Sequence, residues 1–388
     1  MQKLLAAALL ALAVPAFAGA QDAWQLVVDA VEPPPAEALA EPAPLRVDAL
    51  ACLSDGVAAC RDPAIVTSQD RLLATWVAER DGRRFVELAQ GGPGDWWPAE
   101  VISGDSPGDA SEHASAFDND GLAAVAFVRA QPEGSQLVLW REGVGGQVVA
   151  ASPGRMETPA LAFDSQGRPV IAWAEADGGD SRVYSAHRTR AGWSHVELSR
   201  PGLSYDILPM AFGGARPIVA WYALEGEEFA LRAVRLLEDG STRAAVLGDR
   251  MLAPPRMLPI LSLAPDGRTF SAVWVEAFRD GESVVGLAPS PEGGSVLHTA
   301  PRTAPGARQV EPAGLALPGG GMAMAWREER RDGARAAVLA GDRFHVVDGV
   351  AEPTQPRLAL GPAGELHLLL VSDARDGGDG QVYAVRVD

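Results

Sequence analysis

Hydrophobic residues along this chain fall in short, nearly unbroken runs of Val, Ile, Leu, Ala and aromatics, separated by turns rich in Gly, Asp and Pro. One phrase recurs as LLATWVAERDG, LAAVAFVRAQPEG, PVIAWAEADGGD, PIVAWYALEGE, FSAVWVEAFRDGE, MAMAWREERRDG and LHLLLVSDARDGG. Its anchors are Trp76, Phe127, Trp173, Trp221, Trp274, Trp326 and Val371, at intervals of 51, 46, 48, 53, 52 and 45 residues. So regular a spacing implies seven copies of one supersecondary unit.

The third copy shows what the unit is. PALAFD leads through a turn at Ser165-Gln166-Gly167 into RPVIAWAEA; an acidic turn, RVYSAHRTR, a turn at Ala191-Gly192 and WSHVELS complete it. That is four short strands, and no part of the chain after the first twenty residues carries a persuasive 3.6-residue period. Four-stranded units at this spacing predict an all-β fold, a seven-bladed β-propeller of antiparallel blades spanning residues 62–388. The recurrent aromatic on the second strand then has a packing role between blades, where it buries a large apolar area.

The seventh copy supplies QPRLALGP, ELHLLLVSD and QVYAVRVD and stops one strand short. AWQLVVDAV, residues 23–31, has no repeat of its own and is expected to fill the missing outer position, closing the ring and pairing an exposed edge. The Pro-rich connector EPPPAEALAEPAP would lead from it toward blade one, so residues 21–61 form an N-terminal segment ahead of the propeller.

Ahead of that segment, MQKLLAAALLALAVPAFAGA has one cation at Lys3, an apolar run from Leu4 to Val14, and Ala18 and Ala20 at an A-x-A cleavage site. It reads as a secretory signal, residues 1–20, too short to span a bilayer. The expected protein is exported, periplasmic or extracellular, without membrane insertion. Without Lys3 the 33 cations become 32, all Arg, against 51 carboxylates, a formal charge of 32 − 51 = −19. Such a surface repels nucleic acid and favours cationic or basic partners. The only cysteines, Cys52 and Cys60 in CLSDGVAAC, flank an Asp55-Gly56 turn, and in an exported chain they are expected to form a disulfide.

A corner recurs before each inner strand: Pro63, Pro159, Pro209, Pro259, Pro312 and Pro356, with Ala114 in copy two. Residues around these positions should surround one mouth of the central channel. They are Arg61, Asp62, Glu112, His113, Glu157, Asp206, Arg256, Gln309, Glu311 and Gln355, mixed but mostly acidic, and suited to a cationic or polyhydroxylated ligand or to plain solvation. Antiparallel alternation puts the acidic turns after the second strands on the same face. Asp373, Asp376 and Asp379, or Asp177 and Asp180, could offer oxygens to Ca²⁺, yet neither loop has the full calcium-loop spacing, and Asp-Gly pairs are what tight hairpins demand. The six histidines are scattered, with no zinc spacing among them.

The stretch from Arg61 resembles the first-blade signature of bacterial sialidases and their relatives with BNR repeats. Arg61-Asp62-Pro63-Ala64 matches that family's Arg-x-Pro corner, LLATWVAER its second strand, and WWPAEVI, residues 96–102, the strand after its Asp-box. The resemblance implies that Arg61 is one of three arginines gripping a sugar carboxylate, with Arg256 and Arg308 as the others and Asp81 as acid/base. The chain departs from the family in three ways. Blades five and six contain no Tyr to match its nucleophile, Tyr205 lying in blade four; AQGGPGDWW lacks the Ser and Asp spacing of the Asp-box; and the family usually has six blades where this chain has seven copies. The reading is therefore a non-catalytic propeller, a monomer without a cofactor, that binds a protein or glycan at one face. The alternatives are a divergent sialidase-like glycoside hydrolase using Arg61 with Asp81 or Asp206, and a structural module of an envelope complex.

Overall fold

The computed structural model describes residues 11–13, 25–27, 43–44 and 51–54, and from 59 onward all but 93–94, 105–108, 178–179, 200–209, 215–216, 226–227, 238–240, 247–258, 264–269, 279–280, 290–294, 305, 319, 373–379 and 388. The described chain is all strand and turn, and none of its helices is long and apolar enough to cross a membrane, since it has none. Seven sheets form a seven-bladed β-propeller; in six the four blade strands run inner to outer in chain order, and the seventh takes its outer strand from the N-terminal side. The inner strands are Ala59–Thr67, Ala110–Phe117, Arg155–Phe163, Met210–Phe212, Ile260–Leu263, Arg308–Ala316 and Pro353–Leu360. Among the described residues neighbouring inner strands touch at six of the seven junctions, and blades four and five share a hydrophobic cluster at the seventh.

The apolar runs are unbroken because both faces of each blade are covered. In the second strand of blade one, Leu72–Arg80, Leu72, Ala74, Trp76 and Ala78 pack toward blade seven, while Leu73 and Val77 pack toward blade two. The same division gives seven hydrophobic clusters, one for each pair of adjacent blades, and no common centre. The anchors Trp76, Phe127, Trp173, Trp221, Trp274 and Trp326 are all buried, each in the cluster shared with the preceding blade. In blade seven the residue facing that way is Leu370, whereas Val371 faces blade one, so Leu370 and not Val371 is the seventh anchor.

The ring closes from the N-terminal side, through a different segment from the one expected. Ala51–Cys52 is the outer strand of blade seven, antiparallel to Val382–Val387 with Cys52 opposite Tyr383. Leu53 N donates to the Val382 carbonyl at 2.8 Å, and Val382 N to Ser54 Oγ at 3.2 Å. Of residues 23–31, Gln25–Val27 forms a strand paired with Ala11–Ala13. Ala43–Pro44 adds a parallel fifth strand to blade six.

No disulfide joins Cys52 to Cys60. Cys52 lies exposed on blade seven, its thiol toward the Ser54 carbonyl at 3.4 Å and Gln381 Oε1 at 3.8 Å. Cys60 opens the inner strand of blade one, opposite Ala78, and packs into the cluster between the two blades. Closure by strand pairing has put the two sulfurs in different environments, which corrects the expected bridge.

Candidate functional site

Five of the inner strands share a local defect that builds the mouth of the channel. Their pairing slips by an extra residue between Arg61 and Ala64, Ser111 and His113, Glu157 and Ala160, Val310 and Ala313, and Thr354 and Arg357. At each bulge one residue is left-handed: Asp62 (φ 51°), Glu112 (42°), Thr158 (45°), Glu311 (51°) and Gln355 (50°). That conformation costs a non-glycine residue about 1–2 kcal/mol, so something must hold it. What holds it is the neighbouring blade. Asp62 N donates to Gln355 Oε1 at 2.7 Å, Gln355 N donates to Glu311 Oε2 at 2.6 Å, and Thr158 N donates to Glu112 Oε2. Side chains of blades seven, six and two thus tie the bulges of blades one, seven and three in a circumferential belt.

The register also corrects one corner. The residue after the bulge is Pro63, Pro159, Pro312 or Pro356 in four of these strands and His113 in blade two, so His113, not Ala114, stands in the proline position.

The sequence-derived candidates distribute as follows. Asp62, Glu112, His113 and Glu311 lie together at the mouth, and Glu112 and Glu311 have their carboxylates engaged in the belt. Glu157 pairs with Arg155 at 2.8 Å, and Gln309 is fully buried, its side chain bridging Val284 N and the Pro301 carbonyl. Arg61 is half-exposed and, among the described residues, reaches Asp62 at 3.8 Å and Glu79 at 4.0 Å. Arg308 is held by Glu282 and Glu329, both at 2.9 Å, and sits two residues earlier in its strand than the counterpart of Arg61, which is Val310. Asp81, with φ 52°, and Gly82, with φ 71°, are the two central residues of a hairpin turn between Arg80 and Arg83, the type I′ pattern that Asp-Gly satisfies. Tyr205, Asp206, Arg256, Asp373, Asp376 and Asp379 lie outside the described residues, as do the side chains of Asp177 and Asp180. Among the described residues no three His, Cys, Asp or Glu converge as metal ligands.

On the same face, blades one to three enclose an open pocket of about 470 Å³. Arg84, Ser111, Glu112 and Arg155 supply its polar lining, with Val128 and Met156 as apolar lining. Arg84 is tied to Asp109 at 3.2 Å, and Arg155, three-quarters exposed, to Glu157 at 2.8 Å and Glu112 at 3.8 Å. Paired in this way, the guanidiniums and carboxylates present donors and acceptors with little net charge, suited to hydroxyl and amide groups rather than to a strong ion. Sequence reasoning missed Arg84 and Arg155, which sit at strand starts away from the proline corner.

Burial pushes the Glu112 carboxyl above its usual range; the Thr158 N–H and Arg155 pull it down, and the Glu157 and Asp62 carboxylates push it up. A folded-state pKa above the unfolded value favours the protonated form on folding. Glu112 therefore costs stability at neutral pH, and the cost fades as pH falls through the folded value toward 4.5. Glu112→Gln keeps an acceptor for Thr158, so its melting temperature is expected to exceed wild type at pH 7.5 and to match it near pH 4. A lower melting temperature at pH 7.5 would mean that the charge itself holds the bulge.

No family model matches the chain, and no curated protein matches it. Among solved structures it is similar to a protein of unknown function from Dyadobacter fermentans, with 10% identity, TM-score 0.45, and coverage of 89% of this chain and 99% of that one. A neuraminidase-like protein of A/little yellow-shouldered bat has 8% identity and TM-score 0.45, with 88% and 99% covered. An Aleuria aurantia lectin mutant in complex with Fucα1-6GlcNAc has 10% identity and TM-score 0.45, with 78% and 98% covered. The sheet order by itself makes the chain a seven-bladed β-propeller of four-stranded antiparallel blades.

Proposed function

We propose that this is an exported, non-catalytic propeller that binds a polar partner, a glycan or a protein side-chain surface, on the face carrying the bulged strand starts. The observation that carries the reading is the use of the mouth carboxylates. Glu112 and Glu311 accept backbone N–H groups of adjacent blades, and Arg308 is locked between two glutamates, so these groups act as ties. A carboxylate-gripping site needs unpaired guanidiniums converging on one pocket, and neither Arg61 nor Arg308 lines the 470 Å³ pocket. That pocket, with its neutralised arginines, is the seat proposed for the partner.

The test is a binding screen of neutral and acidic oligosaccharides and of basic proteins against the wild type and Arg155→Ala, run beside a turnover assay on a fluorogenic sialoside. Binding that Arg155→Ala weakens about tenfold, with no turnover, would support the reading; the size follows from losing a charge-assisted contact. Turnover abolished by Arg61→Ala would overturn it in favour of the glycosidase.

A further inference from the structure

The 470 Å³ pocket across blades one to three sorts its groups by chemistry. Its floor is aliphatic: Val128 and Met156 are buried there, and no aromatic side chain is among the lining residues. Ser135, also buried, is closed to a ligand, since its hydroxyl donates to the Gly154 carbonyl at 2.7 Å and accepts Met156 N at 2.9 Å. The polar groups around the floor keep spare capacity. Arg84 turns Nε to Asp109 at 3.2 Å and Arg155 turns Nε to Glu157 at 2.8 Å, so both forks retain Nη donors without a hydrogen bond among the described residues. Glu112 gives Oε2 to Thr158 N, while Oε1 has only Arg155 Nη2, at 3.8 Å. Ser111 adds a hydroxyl that can donate or accept.

Around the ring the order is donor, acceptor, donor: Arg84 on blade one, Glu112 on blade two and Arg155 on blade three. An extended polypeptide presents the complementary series, carbonyl and N–H by turns, with side chains alternating to opposite faces. Laid across the three blades, it can accept from Arg84 and Arg155, donate to Glu112 Oε1, and place one side chain on the floor. A sugar ring, whose apolar face stacks on aromatic rings, finds none in the lining. The rim adds a charge preference. Asp109 and Glu157 are matched by the two arginines, but Glu133, exposed beside Gly134, and Glu175, which accepts from Ser152 Oγ, have no cation within ion-pair distance among the described residues. With a formal net charge of −18 on the whole chain, such a rim draws basic residues toward it.

We propose that this pocket binds an extended peptide segment of a partner protein, seating one small aliphatic side chain on the Val128 and Met156 floor and meeting basic flanking residues with its acidic rim. The inference rests on the reading of the pocket as the seat of a polar partner, and it narrows that partner to a polypeptide main chain.

The experiment is fluorescence anisotropy of the full chain with a labelled Lys-Gly-Val-Gly-Lys amide, beside the same peptide with Gly or Trp in place of Val. Maltotriose and triacetylchitotriose are run as unlabelled arms by calorimetry. Glu112→Gln keeps an oxygen for Thr158 and turns an NH₂ toward the ligand in place of the free acceptor, so it folds while opposing the peptide N–H. The expected result is saturable binding of the Val peptide, weakened about tenfold by Glu112→Gln and by Arg155→Ala, through loss of one hydrogen bond to a charged group. The Gly peptide, lacking the side chain, and the Trp peptide, too large for the floor, should bind about tenfold more weakly. No binding of the Val peptide, equal binding of all three peptides, or equal affinity in wild type and Glu112→Gln would each overturn the proposal. Binding of a trisaccharide that Arg155→Ala weakens, without peptide binding, would overturn it and leave the wider reading of the pocket standing. If Arg155→Ala matched wild type toward every probe, both would fall.

Discussion

Trp76→Ala is expected to lower the stability of the protein by about 3–5 kcal/mol, the range for deleting a buried aromatic side chain from a close-packed core. Trp76 is fully buried, in the cluster that blade one shares with Leu369, Val371 and Ala384 of blade seven. Its indole Nε1 also donates to Glu87 Oε2 at 2.9 Å, and Glu87, itself buried, takes its other hydrogen bond from Arg80. Truncation would open a cavity at the seam of the ring and remove one donor from a buried carboxylate. Trp76→Phe separates the two effects: it keeps most of the apolar area and loses the N–H, at a cost of about 1–3 kcal/mol. Urea midpoints should fall in the order wild type, Trp76→Phe, Trp76→Ala. Equal midpoints for the two variants would assign the effect to the hydrogen bond alone and contradict the packing account.

Leu53→Pro is expected to be nearly as damaging, for a different reason. Leu53 N donates to the Val382 carbonyl, its side chain is 8% exposed in the seam cluster, and the chain before it carries the Ala51–Cys52 closing strand. Proline removes the donor and part of the packing contact at once, with an unpaired buried carbonyl costing about 1–3 kcal/mol beyond the lost side-chain burial. Leu53→Ala keeps the donor and loses only packing, so it isolates the ladder. Hydrogen exchange at Val382–Val387 is the direct readout: protection should fall in Leu53→Pro and largely persist in Leu53→Ala. Unchanged protection in Leu53→Pro would mean that blade seven holds its edge without the closing strand.

Most of the fold was legible because its signals are large. Trp76, Phe127, Trp173, Trp221, Trp274 and Trp326 are bulky, buried and spaced by one blade each, and the Asp81-Gly82 pair announces its own turn. What escaped was register. With no aromatic on the second strand of the seventh copy, Val371 and Leu370 are equivalent apolar neighbours, and only the bulge at Thr354 to Arg357 decides between them. His113 was misplaced against Ala114 for the same reason, its copy having lost the proline that marks the corner. The closing strand is two residues long, too short for any periodicity, while the longer apolar stretch at 23–31 looked the better edge. The belt was illegible altogether, because left-handed Asp, Glu, Thr and Gln carry no marker such as glycine would supply. Asp62, Glu112 and Glu311 stand at bulged strand starts, and their engagement by neighbouring blades is a property of three dimensions.

Each anchor leans on the blade before it, so the contact between blades has a head and a tail, and no blade can pair with a copy of itself about a twofold axis. Such heterologous contacts propagate until a rotation closes them, and here closure comes at seven. A chain fragment with fewer blades would keep one head and one tail unsatisfied, complementary to those of the missing piece. Blades one to four and five to seven, produced as separate polypeptides, would carry the instructions to reassemble a ring from two parts, and the same unsatisfied ends would string incomplete copies into open chains.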